Sequence, residues 1–176
     1  MYEANFGLDR RPFSSVPRTD QYYPATTIES SRQTLDRAVH RAEGIGMVVG
    51  AAGTGKTLLC QMLAEQFRET FRVALLWSGR LSTRRALLQA ILFELGQPYR
   101  GMDEGELRLA LVDYVTTHED CPNGVVLLVD EAHTLPLRLF EEIRLLTNLT
   151  KDNLPRIRLV LVGGPLLEER FANPKL

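Results

Sequence analysis

Short apolar runs alternate along the chain with segments whose apolar residues recur at helical spacing. The runs "GMVVG", "RVALLW", "GVVLLVD" and "IRLVLVG" predict four strands. The spacing predicts helices in "TIESSRQTLDRAVHRAEG", "KTLLCQMLAEQF", "TRRALLQAILFELG", "DEGELRLALVDYVTTH" and "LRLFEEIRLLTNL". Because the strands alternate with helices and are apolar throughout, we expect a mostly parallel sheet covered on both faces. The pattern therefore predicts a three-layer α/β fold.

Composition adds few constraints to this picture. The chain has 176 residues, 44% of them hydrophobic and 24% charged, which suits one globular domain with a full core. The formal net charge of -1 gives no strong signal for nucleic-acid binding. The apolar runs are far too short for a transmembrane segment. Cys60 and Cys121 have neither metal-binding nor redox spacing, so we expect a reducing, cytoplasmic environment.

The stretch "GAAGTGKT" lies between the first predicted strand and a predicted helix. It matches the P-loop pattern G-x-x-x-x-G-K-[ST], whose glycines let backbone N–H groups turn toward phosphate at the positive end of a helix. We expect Lys56 to reach the β- and γ-phosphates and the Thr57 hydroxyl to ligate Mg²⁺. The predicted nucleotide-binding residues are Gly50, Ala51, Ala52, Gly53, Thr54, Gly55, Lys56, Thr57 and Leu58.

Two adjacent carboxylates, Asp130 and Glu131, end the third predicted strand. Such neighbours repel each other unless a positive charge faces them, and the P-loop lysine and a magnesium ion would supply it. In P-loop NTPases a carboxylate in this place holds the Mg²⁺ that the loop Ser or Thr also holds. We therefore predict Thr57 and Asp130 as metal ligands and Lys56 and Glu131 as catalytic residues, Glu131 accepting a proton from the attacking water or orienting it. His133 is either a γ-phosphate sensor or a hydrogen-bonded surface histidine.

Five stretches together resemble one known family. They are "MYEANFGLDRRPFSSVP", "VVGAAGTGKTLL", "VVLLVDEAHTL", "EEIRLLTNL" and "RLVLVGGPLLEERF", which span Met1 to Phe171. They resemble the N-terminal AAA+ domain of the general secretion pathway protein A family, the ATPase associated with type II secretion. The resemblance implies a P-loop NTPase of the additional-strand type, ATP and Mg²⁺ as cofactors, and a homo-oligomer with ATP sites between subunits. It also implies a role in assembling the secretion channel through the cell wall.

Two features depart from the family pattern. Gly164 follows the fourth strand, where the family usually has a polar side chain that senses the γ-phosphate. Either another residue, such as Asn148, takes its place, or hydrolysis is slow. The 176 residues also hold no fifth strand, arginine-finger region or helical lid. We therefore expect a single truncated ATPase core, with an N-terminal arm and helix in residues 1–45 and the nucleotide-binding core in residues 46–176.

Secretion-machinery or cell-wall proteins, and any tether to the inner membrane, would then be contacted through regions of a longer protein. Two other functions stay open: a nucleotide-dependent binding switch with little turnover, and a DNA-transposition or helicase-type ATPase, which "DEAH" alone suggests. The arm's aromatics Phe13, Tyr22 and Tyr23 are expected in the core, or else near the adenine. Solvated or helix-end charges are expected at Arg84, Arg85, Arg144, Arg156, Arg158 and Arg170, with action of one of the last four on a neighbour's γ-phosphate as the alternative.

Overall fold

The computed structural model describes residues 5–7 and 18–172, without the side chains of Gln21 and Arg80. The strands are β1 (Ile45–Val49), β2 (Arg72–Trp77), β3 (Val125–Asp130), β4 (Thr150–Lys151), β5 (Leu154–Pro155) and β6 (Ile157–Gly163). The helices are α1 (Thr26–Arg41), α2 (Lys56–Phe67), α3 (Arg84–Glu94), α4 (Glu104–Thr117), α5 (Leu137–Thr147) and α6 (Leu166–Phe171). Short 3-10 turns cover Thr19–Gln21, Ser78–Arg80 and Ala132–Thr134.

Four of the strands form a parallel sheet in the order β1-β6-β3-β2. The register pairs Val49 with Gly163 and Trp77 with Asp130. The carboxyl ends of the strands therefore meet at one edge of the sheet, where ligands bind in open α/β folds. This arrangement confirms the predicted α/β class and the mostly parallel sheet.

Alternate residues of the central strands point into two separate cores. On one face, Val126, Leu128, Val160 and Val162 pack with buried residues of α1 and α2. On the other, residues such as Leu127, Val129 and Leu161 pack with α3, α4 and α5. Because both faces are covered, every residue of β3 is buried, which explains why the strand reads as a continuous apolar run.

Two small elements differ from the sequence prediction. β4 and β5 form an antiparallel hairpin whose turn residues, Asp152 and Asn153, have positive φ angles of 52° and 62°. Each strand is only two residues long, too short to show alternation. The helix α6 has only six residues, fewer than two turns, so its apolar residues cannot show a sustained helical spacing.

The N-terminal aromatics only partly follow expectation. Tyr23 is 80% exposed, so the prediction that it anchors the core is wrong. The Tyr22 hydroxyl donates to a carboxylate oxygen of Glu29 at 3.0 Å, and burial together with this neighbour raises the pKa of Tyr22. Phe13 lies outside the described residues.

Arginines predicted as solvated charges hold main-chain carbonyls instead. The buried Arg156 guanidinium donates to the carbonyls of Val115, Cys121 and Pro122, which joins the end of α4 to the loop before β3. Arg158 donates to the Val39 carbonyl and lies over the Phe71 ring.

The remaining arginines are also engaged, although most stay partly exposed. Arg170 donates to the Leu135 carbonyl, Arg85 to the Met102 carbonyl, and Arg84 faces the buried carboxylate of Glu142. Arg144 forms an exposed pair with Glu141, as expected for a surface charge.

None of the helices in the described part of the chain has the length and apolar character needed to cross a membrane.

Candidate nucleotide-binding site

The loop between β1 and α2 curls back on itself. Gly53 and Gly55 have φ angles of +79° and +84°, a conformation that side chains disfavour, and Gly55 caps the start of α2. The Ala51 carbonyl accepts hydrogen bonds from the Thr54 hydroxyl at 2.9 Å and from Lys56 Nζ at 2.8 Å. The Lys56 ammonium therefore lies against the loop, at the N-terminus of α2.

The P-loop is tied to the centre of the sheet. The Gly50 N–H donates to the Gly163 carbonyl at the end of β6, at 3.1 Å. A side chain at Gly50 would meet the Thr54 hydroxyl at 2.9 Å, so the close turn favours glycine there. The loop thus has a fixed position at the carboxyl edge of the strands.

Thr57 and Asp130 come together across 73 residues of sequence. The Thr57 hydroxyl, in the first turn of α2, donates to Asp130 Oδ2 at 2.8 Å. The other oxygen, Oδ1, accepts from the Glu131 backbone N–H at 2.8 Å. Asp130 is fully buried, so these two bonds compensate the loss of water from its carboxylate.

Glu131 projects from a sharp turn directly after β3. Its backbone is left-handed, with φ 53° and ψ 31°, and its side chain is about half exposed. A residue with a side chain rarely adopts this conformation, and such residues cluster at functional sites. The turn directs the glutamate to the edge of the sheet that carries the P-loop.

His133 lies between Glu131 and β6. Its Nδ1 accepts the Gly164 backbone N–H at 3.1 Å, and its Nε2 is 3.7 Å from a carboxylate oxygen of Glu131. The histidine is thus hydrogen-bonded and about a quarter exposed, and its role as a γ-phosphate sensor stays a prediction.

The structure does not bring Asn148 to this site. It caps the C-terminus of α5, next to Leu149, whose carbonyl accepts from Arg156 just before β6 begins. The seven residues of β6 separate this end from Gly163, which is roughly 20 Å at about 3.3 Å per residue. The prediction of Asn148 as a sensor is therefore wrong, because α5 carries it to the opposite edge of the sheet.

A cavity of about 240 Å³ opens beside the P-loop. Its walls include Thr27, Ile28 and Ser31 of α1, Val48 and Val49 of β1, and Lys56. Sequence reasoning missed the α1 residues, because nothing local to that helix shows which element its N-terminal turn faces. The cavity has apolar walls and a few hydroxyl groups, as expected of a small-ligand site.

Comparison with known proteins agrees with this geometry. Residues 39–171 match the family described as AAA domain. The whole chain is 33% identical to General secretion pathway protein A of Aeromonas hydrophila and spans 32% of that protein. The chain therefore corresponds to about a third of this relative's length.

Solved structures share the fold at lower identity. Cdc6p from Pyrobaculum aerophilum matches with a TM-score of 0.70 at 24% identity, over 93% of this chain and 45% of that one. The ORC2 protein of Aeropyrum pernix, solved as ADPNP–ADP complexes, matches with a TM-score of 0.67 at 19% identity, over 95% of this chain and 48% of that one. With the family match over most of its length, the protein belongs to the AAA domain family of P-loop ATPases and resembles general secretion pathway protein A.

Proposed function

We propose that this domain binds Mg-ATP at the P-loop and hydrolyses it to drive assembly of the type II secretion machinery. The observation that carries the proposal is the 2.8 Å contact between Thr57 Oγ1 and Asp130 Oδ2. Burying a carboxylate costs free energy, and an apolar residue at this strand end would avoid that cost. The pair therefore suggests a function beyond folding. A hydroxyl and a carboxylate oxygen held together beside a P-loop form a pair of hard ligands suited to Mg²⁺.

Thr57 and Asp130 would hold the magnesium ion, which, when bound, neutralises charge on the β- and γ-phosphates. Residues Gly50 to Leu58 supply the N-terminus of α2 and the loop N–H groups for phosphate. Lys56 now donates to the Ala51 carbonyl; in the complex it would exchange this partner for a phosphate oxygen.

In this proposal Glu131 orients the attacking water and accepts its proton, and the half-exposed carboxylate directly after Asp130 supports this role. We assign to His133 the sensing contact that Gly164 has no side chain to make. The ring already bonds the Gly164 N–H and faces Glu131, so it links the end of β6 with the proposed base.

The role in secretion is supported by the 33% identity to General secretion pathway protein A. We propose a homo-oligomer with ATP sites between subunits, working at the cytoplasmic side, where ATP is available. In this proposal a longer protein containing the domain contacts secretion-machinery or cell-wall proteins and is tethered to the inner membrane.

A nucleotide-dependent binding switch with little turnover is the second candidate. The observation that favours it is that Gly164 has no side chain to contact the γ-phosphate. The side chain described next to Gly164 is that of His133, so sensing would depend on this histidine.

The decisive experiment measures ATP affinity and steady-state hydrolysis with Mg²⁺ over a range of protein concentrations. We expect binding, and a rate per subunit that rises with concentration as shared sites form. Binding without turnover at any concentration would support the switch. Absence of binding by the folded protein would contradict both candidates, with Lys56→Ala as the baseline.

A further inference from the structure

The first two turns of helix α1 form one wall of the cavity beside the P-loop. Thr27, Ile28 and Ser31 line this wall. A Cβ placed on Gly55 would lie 3.7 Å from Ile28 Cδ1, so the helix lies directly over the P-loop. P-loop residues also line the cavity. A ligand whose phosphates occupy the P-loop can therefore place its remaining part against α1.

The start of α1 has no side-chain cap of its own. Its N-cap is Ala25, whose methyl group cannot accept a hydrogen bond from the helix N–H groups. The buried anchors of the helix, Leu35 and Val39, lie about two and three turns beyond Ile28. The position of the wall therefore depends on the tertiary contacts of the turns between Ile28 and these anchors.

One turn beyond Ile28, Arg32 links α1 to α2. Its guanidinium donates to the side-chain carbonyl of Gln66 near the end of α2, and Nε donates to the two Glu29 carboxylate oxygens at 3.1 and 3.2 Å. The Gln66 amide nitrogen donates to Asp36 Oδ1 at 2.6 Å. The amide of Gln66 is thus held between a donor and an acceptor of α1, an arrangement that we name the Arg32–Gln66–Asp36 clamp.

The clamp acts on the part of α1 that carries the wall. Residues four apart on a helix are neighbours, so Arg32 lies one turn from Ile28 on the same side. The Arg32 side chain is only 28% exposed, and hydrogen bonds from a charged group are stronger than those between neutral groups. The clamp therefore holds the wall at the P-loop before a ligand binds. Affinity falls when only a fraction of the molecules have the binding conformation.

We propose that the Arg32–Gln66–Asp36 clamp positions the α1 wall for the nucleoside part of ATP and so sets nucleotide affinity. Arg32 and Gln66 contact no nucleotide atom in this proposal; they are positioning residues, and the inference rests on the proposed function of the P-loop. The phosphates bind the loop and not α1. Loss of the clamp therefore weakens ATP binding and leaves the binding of a phosphate chain without a nucleoside intact.

Three variants test the clamp. Arg32→Met and Gln66→Met each remove its hydrogen bonds and keep a side chain of similar length, and Arg37→Met, at an exposed position of α1, is the matched control. We expect the Kd for Mg-ATP to rise about 5-fold or more in the first two variants, while the Kd for Mg-tripolyphosphate and kcat stay within about twofold. The double variant should lose little more than either single variant, because both substitutions break the same contact.

The two ligands separate the outcomes. Equal losses of ATP and tripolyphosphate affinity would indicate general damage to the fold and overturn the proposal, as would unchanged ATP affinity in both clamp variants. If the wild type bound both ligands equally well, the P-loop assignment would stand and the role of the wall would be overturned. Folded wild-type protein that bound neither ligand would contradict the proposed function of the P-loop itself.

Hydrogen exchange gives a second readout that requires no turnover. We expect Mg-ATP to slow exchange of the amides of residues 30–35 in the wild type and Mg-tripolyphosphate to leave it unchanged, because only ATP carries a nucleoside to the wall. Without ligand, these amides should exchange faster in Arg32→Met and Gln66→Met than in Arg37→Met. Equal exchange in the three variants would overturn the clamp.

Discussion

The imidazole of His133 accepts the backbone N–H of Gly164 at Nδ1, at 3.1 Å. The ring proton is therefore on Nε2, which faces a Glu131 carboxylate oxygen 3.7 Å away. The preceding residue, Gly163, accepts the N–H of Gly50 from the P-loop. Through the single peptide group between Gly163 and Gly164, the end of β6 contacts both the phosphate-binding loop and the ring beside the proposed base.

We expect His133→Ala to lower kcat about 10-fold while ATP affinity stays near that of the wild type, because in the proposed mechanism the ring orients Glu131, and its polar contacts described here are with Gly164 and Glu131, outside the P-loop. Gly164→Ala is the matched control: its Cβ would lie 3.6 Å from the His133 ring, an ordinary contact. Gly163→Ala would crowd the His133 backbone N and Nδ1 at 3.2 Å and should slow turnover as well. Normal turnover in His133→Ala would remove the histidine from the mechanism.

Substitution of Lys56 and of Glu131 should affect different steps, nucleotide binding and hydrolysis. Lys56→Ala should abolish nucleotide binding, because it removes the positive charge at the N-terminus of α2. Glu131→Gln should keep binding and stop turnover, because the amide cannot accept the proton of the attacking water. Calorimetry with a non-hydrolysable ATP analogue, beside a phosphate-release assay, separates the outcomes. Unchanged affinity in Lys56→Ala would contradict the P-loop assignment.

The contact between Thr57 and Asp130 predicts a specific dependence on magnesium. Thr57→Val removes the hydroxyl and keeps the shape of the side chain, so Mg-ATP affinity should fall toward the value measured for wild type in EDTA. Thr57→Ser keeps the ligand oxygen and should respond to Mg²⁺ as the wild type does. Titration of a fluorescent ATP analogue with and without EDTA measures this response, and an equal gain from Mg²⁺ in Thr57→Val would exclude Thr57 as a ligand.

Arg156 should be a main stabilising residue of the fold. Arg156→Met keeps much of the side-chain volume but leaves the carbonyls of Val115, Cys121 and Pro122 without this donor. We expect a loss of about 3 kcal/mol in the free energy of unfolding, because bonds to charged donors contribute about 1.5–3 kcal/mol each and some relaxation follows. Arg144→Met, at an exposed pair, should cost under about 1 kcal/mol. Equal urea midpoints for the two variants would contradict this assignment.

Both cysteines should be unreactive in the folded protein. Burial raises the pKa of the Cys60 and Cys121 thiols, and the negative charges of Asp130 and Glu131 raise that of Cys60 further. A raised pKa keeps a thiol protonated at pH 8, and only the thiolate is a good nucleophile. We expect both thiols to react slowly with Ellman's reagent at pH 8 in the native protein and rapidly in urea. Fast reaction of either thiol in the native protein would contradict the burial described.

The sequence by itself determined the elements whose physical cause is local. Apolar residues at helical spacing predicted α2 over Lys56–Phe67, and a continuous apolar run predicted β6 over Ile157–Gly163. The structure shows both elements with these bounds. The P-loop was readable because its glycines, lysine and threonine are contiguous. The meeting of Thr57 with Asp130 could be expected because parallel strands share one carboxyl edge.

Only the tertiary structure decided what depends on direction and on distant partners. Asn148 and His133 flank the same helix, but α5 runs away from the nucleotide edge, so one residue leaves the site and the other stays. In the sequence nothing distinguishes Arg156 from a surface charge. In the structure its guanidinium donates to three carbonyls from segments remote in sequence. The Ser78 hydroxyl donates to the backbone carbonyl of Glu131 because β2 pairs with β3 in the sheet. The spacing of apolar residues shows which face of a helix or strand is buried. It does not show which polar group from a distant segment a side chain will contact.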